Sequence, residues 1–424
     1  MTTAATTGSR QARAAATRQR IIDAARDLFV SNGYRSTSLR DIAAAASVSH
    51  PGLLGHFASK DDLLAEVVAG FEEDNEKAFD LIAAASDSGE LIFADVARRN
   101  ARTPGYLELF AALTGEASAA GHPAHERMRQ RYARLHRLST DVLDDAALHG
   151  TIGADRDVAE ESVRHSAGWD GLQLISQYLP DRVDVVQMLE ERESLWALPY
   201  GWRDADSPGP AATAAGPLPP VFGAEPAADD SPGYEVGRRR RAQILADASR
   251  LFSQGGYGDT SLRDIAQAVG VSKSTLLHHY PSKELLLSAV LSERDSAIRM
   301  RSESTHVERA ADALRAIPLG ARVSALDEPG LIEVYAVLSC EAVPAVHPAH
   351  DYFTARFSQA IDYFAELFRL ARIDGDLPEH RDPEHEAIWL VALWDGLQYQ
   401  WLYDRDAVDV GAHLRAHLAD VLPT

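Results

Sequence analysis

Two short segments of the chain hold side chains suited to reading the edges of nucleic-acid bases. Ser49, His50, Pro51 and Gly52 stand where a helix should begin, and Ser272, Lys273, Ser274 and Thr275 stand in the same frame further along. A serine before a helix caps its first free N–H groups. The residues just behind it are those that a recognition helix carries into the major groove. Lys273 can donate to guanine acceptors and Ser274 and Thr275 can bond several base edges, whereas His50-Pro-Gly is smaller and less polar. The two segments should therefore prefer different half-sites. Lys60 and Lys283 follow them and are placed for phosphate, a contact that positions a protein without reading sequence.

The elements that must hold these side chains are legible around them. Ile21, Ile22, Ala25, Leu28 and Phe29 share one face of a helix expected over residues 18–32, and Gly33 supplies its stop. Ser38-Leu-Arg-Asp41 fits a capping box for a second helix reaching Ala45. Leu53 and Phe57, four apart, turn the third helix to the core, and Leu276 and Tyr280 repeat them. The stretch from Ile21 to Leu63 returns from Ile244 to Leu286 at a constant offset of 223 residues. Gly105, Glu108, Glu116, His122-Pro-Ala-His125 and Trp169-Asp-Gly-Leu-Gln173 return as Gly330, Glu333, Glu341, His347-Pro-Ala-His350 and Trp394-Asp-Gly-Leu-Gln398, at an offset of 225. A repeat of this length is a duplicated domain.

The whole chain of 424 residues carries a net charge of −21, which at first argues against nucleic acid. Its distribution reverses that reading. Residues 9–60 hold eight Arg and Lys against three Asp, and residues 238–283 hold the same eight against three, so two basic heads sit on an acidic body. Arg10, Arg13, Arg18 and Arg20, and Arg238 to Arg241, are expected as arms that touch phosphate or the minor groove. The expected boundaries are a flexible arm over 1–14, a head over 15–62, a body over 63–202, a linker over 203–237, a second head over 238–285 and a second body over 286–424. The linker assignment rests on seven prolines without helical periodicity. Flexible, it would span roughly 30–35 Å, enough to return the second head to the first. A single cysteine, Cys340, excludes an internal disulfide, and no long apolar run or signal segment is present, so a soluble, cytoplasmic protein is expected.

Beyond each head the chain reads as amphipathic helices, over 124–148, 158–178 and 183–196 and again over 349–372, 383–403 and 408–422. The stretch 105–178 holds five aromatic residues and 330–403 holds twelve, so the second body is the better candidate for a small-molecule pocket. Tyr335, Glu341, His347, Trp389, Trp394 and Gln398 are its expected lining, suited to an aromatic or apolar ligand. The repeated His-Pro-Ala-His, with Glu116 or Glu341, has the donor types for a transition metal. Its proline fits the first turn of a helix better, so a capped loop is expected, with no metal and no cofactor. No glycine-rich phosphate loop or nucleophile elbow supports an enzyme. A DNA-coating protein without a ligand is the other alternative, and a single footprint would exclude it.

Helix, Gly-Tyr, Thr-Ser-Leu-Arg-Asp-Ile-Ala, Val-Ser, helix and Phe/Tyr-x-Ser-Lys, present in both halves, resemble the tetracycline-repressor (TetR) family. The resemblance implies an all-α chain, each unit a three-helix DNA-binding domain followed by a helical domain for ligand binding and dimerisation. It implies Thr37, Arg40, Ser49, His50, His56 and Lys60 near DNA, matched by Thr260, Arg263, Ser272, Lys273, His279 and Lys283. Leu54 and Leu277 stand where the family often has tyrosine, which removes one phosphate contact. The last two helices of each unit are implied to form a four-helix interface. Both partners exist in one chain, so an intramolecular pseudo-dimer is expected, a repressor on a double-stranded DNA operator released by a small-molecule inducer.

Overall fold

A computed structural model describes residues 3–34, 36–103, 105–119, 121–204, 209–211, 214, 216–221, 235–303, 307–327 and 329–423. Every regular element among them is a helix. The first head comprises α1 (Thr3–Asn32), α2 (Leu39–Ala45) and α3 (His50–Leu54). Its body follows as α4 (Lys60–Ala85), α5 (Phe93–Ala101), α6 (Tyr106–Glu116), α7 (His125–Leu148), α8 (Val158–Tyr178) and α9 (Val185–Trp196). The second unit repeats that order. Its head is α10 (Glu235–Asp259), α11 (Leu262–Val269) and α12 (Lys273–His279). Its body is α13 (Lys283–Glu303), α14 (Ala310–Asp327), α15 (Pro329–Glu341), α16 (His350–Ile373), α17 (Pro383–Tyr403) and α18 (Val410–Val421). No helix of the described residues is long and apolar enough to cross a membrane.

Two expectations are corrected here. Of the arm expected over 1–14, residues 3–14 are instead the start of α1, because the alanines at 4, 5, 12 and 14–16 favour continued helix, and residues 1 and 2 lie outside the described residues. Arg238 to Arg241 likewise lie inside α10. The expected linker is in part docked. Arg203 donates to the carbonyls of Gly375 (2.6 Å) and Asp376 (2.7 Å), and the Ala211 N–H donates to the Asp374 carbonyl (2.7 Å). These carbonyls belong to the left-handed turn at Gly375 (φ +79°) that ends α16, where a helix leaves acceptors unpaired. The rest of the Pro-rich stretch, up to α10, lies largely outside the described residues.

The two bodies share one core. α8 crosses α17 at glycines, and the crossing is reciprocal: a Cβ on Gly171 would fall on the Ala392 carbonyl, and one on Gly396 would fall on the Ala167 carbonyl. Gly171 and Gly396 are equivalent positions of the repeat, as are Ala167 and Ala392. Beside them, Tyr178 at the end of α8 donates to the Ser339 carbonyl of the second unit (2.5 Å). Its equivalent Tyr403, ending α17, donates to the Thr114 carbonyl of the first (2.8 Å). α6 meets α15 at Gly115, where a Cβ would lie 2.5 Å from that of Cys340, its own repeat partner.

A buried chain of charges closes the same seam. Arg164 pairs with Glu161 (3.2 Å), Glu161 with Arg156 (3.1 Å), Arg156 with Asp420 (3.2 Å) and Asp420 with Arg381 (2.9 Å). Arg381 then pairs with Glu386 (2.9 Å), and Glu386 with Arg192 (3.2 Å). Asp420 thus bridges Arg156 and Arg381, which the duplication makes equivalent. Burial alone would raise the Glu386 carboxyl, but Arg192 and Arg381 outweigh it and hold it down at about 2.

Two outcomes follow from this seam. Gly396→Ala should cost about 3 kcal/mol in urea unfolding, because the obstacle is a backbone carbonyl that cannot rotate away. Gly70→Ala, in α4 with nothing within 4 Å of the added carbon, should instead stabilise by about 1 kcal/mol. The second outcome concerns acid. His165 and His417 are buried, and burial, with Arg192 beside both, lowers them from the ordinary 6.5 to about 3. At these two rings the folded chain therefore binds fewer protons than the unfolded one between those values. The contribution of these two rings is complete above pH 6.5 and lost as pH falls toward 3, by about 1.4 kcal/mol per pH unit for each. The Asp170 and Glu193 carboxyls, raised by burial to about 6 and about 7, act in the opposite direction. Between pH 6.5 and 3 the urea midpoint of His165→Gln should therefore fall less steeply than that of the parent chain, by about one proton. A profile unchanged by the substitution would contradict the assignment.

Candidate nucleic-acid interface

Each head is one long helix, α1 or α10, followed by two short helices held by caps. Ser38 accepts from the Asp41 N–H (3.2 Å) while the Asp41 carboxylate accepts from the Ser38 N–H (3.1 Å). Ser261 and Asp264 repeat both bonds at the same distances. Ser49 caps α3 through the Gly52 N–H (3.1 Å), and Ser272 caps α12 through the Thr275 N–H (3.1 Å). Ile21, Phe29, Ile42, Leu53 and Phe57 fill the first core, and Ile244, Phe252, Ile265, Leu276 and Tyr280 the second. The turn between the second and third helices needs a left-handed residue. The second head supplies Gly270 (φ +72°), whereas the first places Ser47 there at φ +54°.

The caps leave a polar face outward. Arg40, Ser49, Pro51 and Gly52 are exposed, as are Arg263, Ser272, Lys273, Ser274 and Thr275, while His50, His56 and His279 are half-buried. Ser274 and Thr275 hydroxyls both lie 2.8 Å from that of Ser272, folded back on the cap. Leu54, which replaces the family's tyrosine, is 43% exposed and adds an apolar spot to this face. Burial and the neighbouring His278, Arg241 and Arg240 lower the pKa of His279.

Four expected DNA contacts have inward roles. Thr37 is buried and its hydroxyl donates to the carbonyls of Gly33 (2.9 Å) and Leu28 (3.2 Å); Thr260 is buried and donates to that of Leu251 (3.2 Å). Their side chains therefore close the turn after the first helix. Lys60 donates to the carbonyls of Tyr34 (2.9 Å) and Thr37 (2.9 Å) and lies 4.2 Å over the Tyr34 ring. Lys283 lies 4.0 Å over the Tyr257 ring. Arg18 and Arg241, expected in the arms, lie over Phe57 (4.9 Å) and Tyr280 (5.5 Å).

The repeated His-Pro-Ala-His is the joint between head, body and the other unit. Its first histidine meets its own head edge-on: His122 and Tyr34 centroids lie 5.0 Å apart, as do those of His347 and Tyr257. Its second histidine stacks on the other unit, His125 on Tyr403 (5.3 Å) and His350 on Tyr178 (5.2 Å). Backbone bonds fix both rings. The Ala124 and Ala349 N–H groups donate to His122 and His347 (3.2 Å each), and His125 and His350 bond the Ala117 and Ala342 carbonyls (2.8 and 3.1 Å). Burial, then Lys283 and His350, lower His347 to about 4, so it is neutral near pH 7. No group of three or more potential metal ligands occurs among the described residues.

The six residues expected to line one pocket are dispersed. Glu341 accepts from the Tyr257 N–H (2.5 Å) and His347 meets the Tyr257 ring, so both belong to the joint. Trp389 lies on the seam, where a Cβ on Gly168 would be 2.6 Å from its ring and Arg192 lies 4.4 Å over it. Tyr335, Trp394 and Gln398 remain in the second body. Tyr178 and Tyr403 were not among the expected functional residues, although their placement one helix end after the repeated Trp-Asp-Gly-Leu-Gln was a signal.

Two helix-turn-helix heads with outward polar caps, each followed by a helical body, define a doubled DNA-binding regulator of transcription. The amino-terminal domain of the bacterial regulatory proteins of the tetR family matches residues 21–67 and again 244–290. The chain therefore belongs to the TetR family, with the family's DNA-binding domain present twice. It is 27% identical over 192 residues to the transcriptional regulator TtgR of Pseudomonas putida, covering 42% of this chain and 86% of that protein. It is 47% identical over 62 residues to RutR of Escherichia coli, 13% of this chain and 29% of that protein. Among solved structures it is similar to a TetR-family regulator from Agrobacterium tumefaciens (23% identity, TM-score 0.40, 44% of this chain and 98% of that one). It is also similar to SmeT, the repressor of a Stenotrophomonas maltophilia efflux pump (20% identity, TM-score 0.36, 42% and 88%).

The turn geometry yields a local test. Gly270→Ala should destabilise the second head by about 1 kcal/mol, since a side chain there meets the left-handed penalty. Amide exchange in α11 and α12 should accelerate accordingly, with α2 and α3 unchanged. Equal acceleration in both heads would show that the heads do not open independently.

Proposed function

We propose that the chain is a repressor that holds one operator with both of its own heads, as a single-chain pseudo-dimer, and releases it when a small molecule occupies its bodies. The reciprocal crossing supports this most directly: Gly171 on Ala392 with Gly396 on Ala167. Contacts in which residue i meets j and j meets i mark a two-fold interface. A two-fold pair of heads suits an operator of imperfect two-fold symmetry, with half-sites about 34–36 Å apart or a multiple of that. Arg40, Ser49, His50, Pro51, Gly52 and His56 would touch one half-site, and Arg263, Ser272, Lys273, Ser274, Thr275 and His279 the other. Lys60 would add phosphate to the carbonyls and ring it already holds, and Lys283 to the Tyr257 ring.

For release, the second body is the better sensor. Trp394 Nε1 and Gln398 Oε1 are buried there without a hydrogen-bond partner, which a ligand could supply. An apolar or aromatic inducer fits that aromatic-rich core. Movement of α15 or α17 would reach a head through Glu341, His347 and Tyr257. A differential affinity of a few kcal/mol between the two arrangements suffices to empty the operator.

Sedimentation of the protein bound to its minimal operator should give one chain per site, and two chains per minimal site would overturn the proposal. Lys273→Ala should cost about 1–3 kcal/mol in operator affinity and relax base choice in one half-site only. Equal relaxation in both half-sites would show that head identity does not map onto readout.

A further inference from the structure

The two heads present different chemistry on the outward face of the third helix. In the second head Lys273, Ser274, Thr275 and, a turn further on, His278 are all exposed and all able to hydrogen-bond. Their equivalents in the first head, 223 residues earlier, are His50, Pro51, Gly52 and Gly55. Only His50 among these has a hydrogen-bonding side chain, and it is half-buried. The Ser49 hydroxyl before them is occupied by the helix, accepting from the Gly52 N–H at 3.1 Å.

What the first head presents instead is carbon. Pro51 is exposed, and Leu54, 43% exposed, follows it by three residues and so shares its face of the helix. Gly52 and Gly55 carry no side chain, so nothing taller stands beside the pair. About 4.5 Å separates the two positions along a helix axis, close to the spacing of about 3.4 Å between stacked base pairs. The second head does not repeat the patch, because Ser274 stands for Pro51 and Leu277 is half-buried beside the exposed His278. Around the patch, residues 9–60 hold eight Arg and Lys against three Asp. Carbon set in a basic head suits a groove of DNA, whose phosphates the charge attracts.

We infer, on the operator reading above, that Pro51 and Leu54 make the first head a reader of thymine through its 5-methyl group. That methyl group is the apolar feature that an unmodified base pair presents in the major groove; the other bases show only donors and acceptors there, which proline and leucine cannot bond. Covering the methyl group with carbon removes both from water. Leu54 is thereby a specificity-determining residue, where a tyrosine would have reached for phosphate. The two half-sites then differ in kind: one is read by methyl groups, the other by hydrogen bonds from the second head.

The full chain is used to select its operator from random-sequence DNA, and thymidine is then replaced by deoxyuridine in one half-site at a time. The replacement removes the 5-methyl group and leaves base pairing unchanged. In one half-site each replacement at a contacted thymine should weaken binding about fourfold, the loss expected for one buried methyl group, and in the other less than about twofold. Pro51→Ser with Leu54→Asn, exposed changes that put polar groups in place of carbon, should abolish this response. Leu54→Asn alone should reduce it, and Lys273→Ala, on the other head, should leave it in place. No enriched sequence would overturn the operator reading and this inference with it. An enriched operator that responds to deoxyuridine in neither half-site or equally in both, or a response that survives Pro51→Ser with Leu54→Asn, would overturn this inference alone.

Discussion

The contact on which the rest of the molecule depends is the crossing of α8 and α17. Helices approach this closely only where side chains are absent, and Gly171 and Gly396 clear the space on the two sides. With the backbones in contact, Ala167 and Ala392 pack at the centre and the cores of both bodies become one. The tyrosines that end these helices then fall within reach of the opposite unit. A wider crossing would separate Tyr178 from Ser339 and Tyr403 from Thr114, and with them the stacking of His350 and His125. The position of each head is therefore fixed partly by the other unit.

The heads were legible because their determinants are local. A capping box needs four residues, and Ser38 with Asp41, like Ser261 with Asp264, stands in register to make it. The core positions Ile42, Leu53 and Phe57 follow from helical spacing alone. The expected contacts with inward roles involve side chains with two competing partners. Thr37 and Thr260 stand next to the polar face in sequence, but the free carbonyls at the end of the first helix take their hydroxyls inward. Alanine content carries α1 back to Thr3, where basic residues alone had suggested an arm.

The bodies were less legible because their chemistry is made between units. Nothing near Trp389 in sequence indicates that Gly168 and Arg192, on another unit, would enclose it. An aromatic-rich helix reads the same whether it lines a pocket or a seam. The buried arginines are similar: Arg156 and Arg381 sit in loops before a helix, and their depth follows only from Asp420 reaching both. His-Pro-Ala-His was readable as a capped loop, while its link from a head to the opposite unit required the fold.

Joining the units in one chain changes what the seam can contain. In a dimer of identical subunits every substitution appears twice, so a residue at the axis must suit its own copy. Here Gly115 faces Cys340, a small position filled by a larger one, which two cysteines or two glycines could not reproduce. Asp420 has Leu195 as its equivalent, and a single carboxylate serves both Arg156 and Arg381. Arg192 has His417 as its equivalent, and Arg164 has Trp389. These four departures from symmetry all lie on the seam. The covalent connection keeps the partner at high effective concentration whatever each contact contributes. Such a seam is free to diverge, and the heads it carries are free to differ at His50 and Lys273 for the same reason.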